Sequence, residues 1–101
     1  MVPEAFGVVD HSGTIAATGT YQTVLPANAQ REGGVIQNTT AHVLYLGMAP
    51  AASAADATSI QLAAGDIIAL NLGIANGVYQ GEVCLKGTAS DTFVAKEFTR
   101  S

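Results

Sequence analysis

The chain has 101 residues, 49% of them hydrophobic and only 12% charged, with a net charge of −4 from four basic and eight acidic side chains. Four scattered cations cannot build the basic patch that releases counterions from nucleic acid or holds an anionic membrane, so neither is an expected partner. The length suits one domain with one core, and a charge share about half the usual ~25% suggests that other protein chains cover part of the surface.

Taken in chain order, residues 1–12 ("MVPEAFGVVDHS") are apolar but carry Pro3 and Gly7 and have no clear period. An early acid and the lack of a basic start or long apolar run speak against a secretion signal. The stretch reads as an extended N-terminal arm, 1–12, ahead of a β-sandwich domain, 13–101. Its four apolar side chains, Val2, Phe6, Val8 and Val9, give too little burial to offset the ordering of twelve residues. The arm is therefore expected to be mobile in the free protein and to dock on a neighbouring chain.

Beyond it the pattern is short β-type runs closed by Gly, Asn, Asp and Pro, the signature of a sandwich or barrel. Strands are expected at 14–18, 21–25, 34–38, 43–48, 59–62, 66–71, 81–86 and 92–98. Turns are expected at "REGG", "QNTTA", "LAAGD", "IANG" and "GTASD", where Gly and Asn accept positive φ and short polar side chains close the chain locally. "QNTTA" reads as the hairpin turn between the two best strands. In the second of these, Val43 and Tyr45 share one face and Leu44, Leu46 and Met48 the other. A strand apolar on both sides is usually covered on both sides, so this one is either central in the domain or faces another subunit, and on the second reading Leu44, Leu46 and Met48 join the arm's side chains as candidate interface residues. The Ala-rich run 49–59 has Pro50 at its start and no large apolar stripe, so it reads as a loop with at most one helical turn. Further on, Val83 and Leu85 alternate with Glu82, Cys84 and Lys86. Ile68, Leu70 and Leu72 alternate with Ile67, Ala69 and Asn71.

Residues that could carry chemistry are few. His11 and His42 are the only histidines and stand at no metal-ligand spacing. Asp10 and His11 are neighbours on an extended chain and point apart. Cys84 is the only cysteine, so no intramolecular disulfide can form. Its context "EVCLK" offers no helix start or base to activate a thiol, and it reads as a buried small hydrophobe. Ser12 lacks the strand–turn–helix setting of a nucleophile elbow. The eight carboxylates fall mostly in turns, with no pair in an apolar frame that would shift a pKa. "REGG" reads as a turn with Arg31 in a nearby salt bridge rather than as an anion nest. Tyr21, Tyr45 and Tyr79, with no Trp, offer no clustered platform for a sugar. No catalytic, cofactor-binding or metal-ligating residues are therefore assigned, and an enzyme is disfavoured.

Residues 14–98 resemble small all-β virion proteins of tailed bacteriophages. The likeness rests on the order of "TGTYQTVLPANAQREGGVIQN", "VLYLGMAPAAS", "SIQLAAGDIIALN" and "GEVCLKGTASDTFVAKEF". Within these stand Gln22, Leu25, Pro26, Ala27, Asn28 and Arg31, then Ile36, Gln37 and Asn38, then Leu62, Gly65 and Asp66. The resemblance implies an antiparallel, jelly-roll-like β-sandwich of about eight short strands. It implies a head decoration (cement) protein, made in the host cytoplasm and seated on the capsid exterior, with the major capsid protein and its own copies, as a homotrimer, for partners. The alternative is the base of a head spike or tail fibre, or a receptor- or carbohydrate-binding module.

Overall fold

The computed structural model describes residues 6–70 and 78–100. Among the described residues nine strands run in chain order: β1 Phe6–Asp10, β2 Gly13–Thr14, β3 Gln22–Leu25, β4 Arg31–Asn38, β5 Leu44–Gly47, β6 Ile60–Leu62, β7 Ile67–Ala69, β8 Val83–Lys86 and β9 Thr92–Arg100. They form two antiparallel sheets. The first has the order β1-β9-β4-β7, with β2 also on β9, and the second has the order β3-β8-β5-β6. Four pairs, β2·β9, β3·β8, β4·β7 and β5·β6, nest inside one another like the two arms of a single long hairpin. Rolling that hairpin puts successive pairs in opposite sheets. The result is a jelly roll, as expected. β1 and β2 lie end to end along β9 and act as one interrupted strand.

The core fills the space between the sheets with alternate residues of the strands. Leu25, Ile36, Leu44, Leu46, Val83, Leu85 and Ala95 are fully buried there, with Phe93 of β9 nearly so. Ile36 and Ala95 are register partners, as are Leu46 and Leu85, so the inward layers are set by pairs of small and branched apolar groups.

Several expectations need correction. Residues 6–10 are not an arm standing off the domain: they pair along their whole length with β9, from Phe6 opposite Arg100 to Asp10 opposite Lys96. The long β9 supplies the missing hydrogen bonds, a term that side-chain burial alone leaves out. Thr14–Thr18 is strand only at its first residue. Ile15 instead exchanges backbone bonds with the turn at 90–91, and Gly19, at φ +74°, swings the chain across to the second sheet.

"QNTTA" is not a hairpin turn, because β4 and β5 belong to different sheets. Asn38, fully buried, holds this crossing: its amide donates to the carbonyls of His42 and Leu62, and its oxygen accepts from the Thr40 N–H. "REGG" lies within β4, where the pairing with β9 shifts between Arg31 and Gly33, and the preceding turn is closed by Asn28. "LAAGD" and "GTASD" are turns as read, with Gly65 and Ser90 at positive φ.

The Ala-rich loop contains two short helical turns, Ala51–Ser53 and Asp56–Thr58. It packs over the outside of the second sheet. At Gly47 a Cβ would come within 2.9 Å of the Cys84 sulfur and 3.2 Å of the Ala54 side chain, so this approach requires glycine. Among the described residues no helix is long and apolar enough to cross a membrane.

Candidate interaction surface

Outward-facing positions of the first sheet are fixed by register. Val8 lies beside Phe98, Asp10 beside Lys96, Val35 beside Lys96 and Ala69, and Gln37 beside Val94 and Ile67. The outer face therefore carries Val8, Ala69 and Ile67, exposed, with Phe98, Val35 and Val94 half-buried among them, and is interrupted by Gln37 and the Asp10–Lys96 pair. Val8 and Ile67, 60% and 62% exposed, are the most exposed large apolar side chains among the described residues. They stand near opposite edges of the sheet. A sandwich usually puts polar residues on such a face, and here the alternation that would do so is broken.

The expected interface residues divide against this surface. Val8 is on it, whereas Val9, the register partner of the buried Glu97, is on the core side of the sheet at its edge, 39% exposed. Leu44 and Leu46 are not interface residues: each is fully buried in the chain's own core. Tyr45 is on the other face of β5, beside Lys86. Met48 is half-buried and lines an apolar depression of about 280 Å³ with Gly47, Ala49, Ala54, Thr58 and Ile60. Phe6 is at the start of β1 by its backbone. Val2, Asn71, Leu72 and the expected turn at 74–77 lie outside the described residues.

Two polar networks brace the sandwich. At one end Arg31 is completely buried against Glu97, itself 3% exposed. Its Nε donates to Glu97 Oε2 at 2.8 Å, and its guanidinium nitrogens donate to the carbonyls of Tyr79, Gly81 and Pro26 at 2.7–2.9 Å. Asn28 Nδ2 donates to Glu97 Oε1, and His11 Nε2 lies 3.2 Å from the same oxygen. Burial works against the Glu97 carboxylate, yet the bonds from Arg31, His11 and Asn28 outweigh it and hold its pKa below the usual value. The expectation of a nearby salt bridge for Arg31 holds. Its burial and its three carbonyl partners were not legible in the sequence.

The second network surrounds Asp91. Burial again opposes its ionisation, and bonds from His42 Nδ1, the Thr88 N–H and Thr40 Oγ1 overcome it, lowering the pKa. Thr40 and Asp91 both meet His42 at Nδ1. A hydroxyl nucleophile would have to be on the other ring nitrogen, so this cluster ties the 38–42 crossing to the 88–91 turn.

Tyrosines do cluster, contrary to the sequence reading. Lys86 Nζ sits 4.7 Å from the Tyr45 ring centroid and 5.5 Å from that of Tyr21, and both Asp56 oxygens hold it at 2.6 Å. Tyr21 also donates to Asp56. Cross-strand register places Tyr45 beside Lys86, and the ammonium takes one face of each ring. Cys84 is fully buried beneath the 49–59 loop. Burial pushes its thiol up, with the sulfur 3.5 Å from the Gly47 carbonyl. Among the described residues no three His, Cys, Asp or Glu side chains converge as a metal site.

No protein-family model and no curated protein sequence matches the chain. Among solved structures it is similar to a chain described under "Bacillus endospore appendages form a novel family of disulfide-linked pili". The identity is 13% over 99% of this chain and 93% of that one, with a TM-score of 0.49.

Proposed function

We propose that this chain is a structural, non-enzymatic assembly module that works by packing its first sheet against other protein, and that its particular role is to decorate the outside of a tailed-bacteriophage shell. The exposed apolar side chains on that sheet carry the reading. Fully burying a Val or Ile gains about 1.5–3 kcal/mol, and Val8 and Ile67 have most of that gain still to make. The Asp10–Lys96 pair would give such a contact a preferred orientation. The Arg31 and Asp91 networks suit a cementing part, because a clamped sandwich presents its face with little ordering cost. The order of motifs along residues 14–98 supports the phage shell as the surface being bound.

The test is co-sedimentation of labelled protein with purified shells. The wild-type chain should pellet with them at saturating, countable occupancy. Ile67→Asp with Val94→Glu, both on the outer face, should cut retention at least tenfold while the circular dichroism spectrum stays unchanged. Absence of the wild-type chain from pelleted shells, or full occupancy by the double variant, would refute the reading.

A further inference from the structure

We infer that the free edge of β1 pairs antiparallel with β1 of a second copy, centred on Val8, so that the first sheets of two chains join into one continuous sheet. This rests on the assembly reading above and names one contact within it. Among the described residues β9 is the only strand partner of β1.

The phase of the ladder shows what β1 leaves unpaired. The His11 N–H donates to the Ala95 carbonyl at 2.7 Å, extending the register in which Asp10 faces Lys96. Hydrogen-bonded pairs alternate in an antiparallel ladder, so Gly7 and Val9 bond to β9. Val8 and Asp10 therefore direct their N–H and C=O groups to the open side. Among the described residues the other sheet edges are short or irregular: β6 and β7 have three residues each, and β3 carries a register shift. β1 is five residues long, regular, and free of Lys and Pro.

The strand is also complementary to itself. With Val8 opposite Val8 of the second copy, about six ladder hydrogen bonds close between positions 6, 8 and 10 of the two chains. On the outer face the row becomes Phe98–Val8–Val8–Phe98. On the core side Val9, 39% exposed, faces Gly7 of the second copy at a close pair, and the glycine leaves room for the valine. Charge favours the same register. It keeps the two Asp10 carboxylates about four residues, ~14 Å, apart along the strands, beyond the ~8 Å screening length. A shift that pairs Asp10 with Asp10 brings like charges together. A five-residue edge buries well under the ~800 Å² per partner of a standard stable interface, so the pairing is reversible and concentration-dependent. It is isologous and closes at two copies.

The experiment is light scattering with size exclusion on the full chain over a range of concentrations, with Val8→Pro beside the wild type. The Val8 N–H points outward, so proline removes an intermolecular bond and leaves the β1·β9 ladder intact. The wild type should move from 10.2 kDa toward about twice that mass as concentration rises. Val8→Pro should stay monomeric with an unchanged spectrum. Val8→Cys tests the register without depending on that fold: opposite residues of a hydrogen-bonded pair lie ~5.5 Å apart at Cα, within disulfide range. Mild oxidation should give a covalent dimer, which Val43→Cys, exposed but off the edge, should not. A wild type that stays monomeric at high concentration, a Val8→Pro chain that still dimerises, or equal cross-linking by both cysteines would overturn the inference. The Ile67→Asp/Val94→Glu variant leaves β1 unchanged and should dimerise as the wild type does whatever its shell retention, so either reading can fail alone.

Discussion

Exchanging Arg31 for Met should destabilise this domain more than neutralising its carboxylate partner by Glu97→Gln. In the folded chain Arg31 is completely buried and donates to Glu97 and to three backbone carbonyls, those of Pro26, Tyr79 and Gly81. Glu97→Gln leaves those three bonds in place and keeps an acceptor near Nε, but strands a buried positive charge, at a cost of about 3–5 kcal/mol. Arg31→Met strands the Glu97 carboxylate, a comparable cost. It also leaves three carbonyls without donors, at about 1–3 kcal/mol each, or roughly 3–9 kcal/mol before water or loop movement relieves part of it. Arg31→Met should therefore exceed Glu97→Gln by at least ~2 kcal/mol. In a chain of this size that is a further fall in Tm of roughly 8–16 °C. Urea unfolding followed by circular dichroism, with m-values compared to check two-state behaviour, measures both. Equal costs, or a larger one for Glu97→Gln, would show that the guanidinium does not hold the 26–31 and 79–82 loops together.

The carboxylates make a pH prediction with a definite sign. Glu97 and Asp91 have folded pKa values below their ordinary 4.5 and 3.8, so their contribution is fully present above those values and is lost as pH falls through the lowered ones. The urea midpoint should be flat from neutral pH to about 5 and drop below about 4; a midpoint unchanged down to pH 2 would contradict this. Asn38→Ala, which removes a buried amide bridging three backbone groups, should cost about 2–4 kcal/mol by the same unfolding assay, and a cost under about 0.5 would mean that the crossing is held by other contacts. Cys84→Ser should cost about 1–2 kcal/mol. The native thiol should resist iodoacetamide at neutral pH until the chain unfolds, and rapid labelling of folded protein would show that the 49–59 loop does not cover it.

The sequence by itself determined the fold class and most strand positions. Period-2 runs such as "EVCLK", the turn chemistry of "LAAGD" and "GTASD", and the missing apolar stripe in 49–59 are local signals, and local physics decides them. It also pointed to an underdressed surface, since composition is independent of arrangement. Which surface was exposed could not be read. Leu44 and Leu46 look the same in a core as at an interface, and only the closing of β5 beneath the first sheet buries them. The 6–10 segment was read as an arm because its partner, β9, lies more than 80 residues further on. Arg31 and Glu97 are 66 positions apart, and Tyr45 and Lys86 are 41. Such pairs exist only once the long hairpin has rolled up, because strand pairing and burial depend on what lies opposite in space, and no window along the chain contains that.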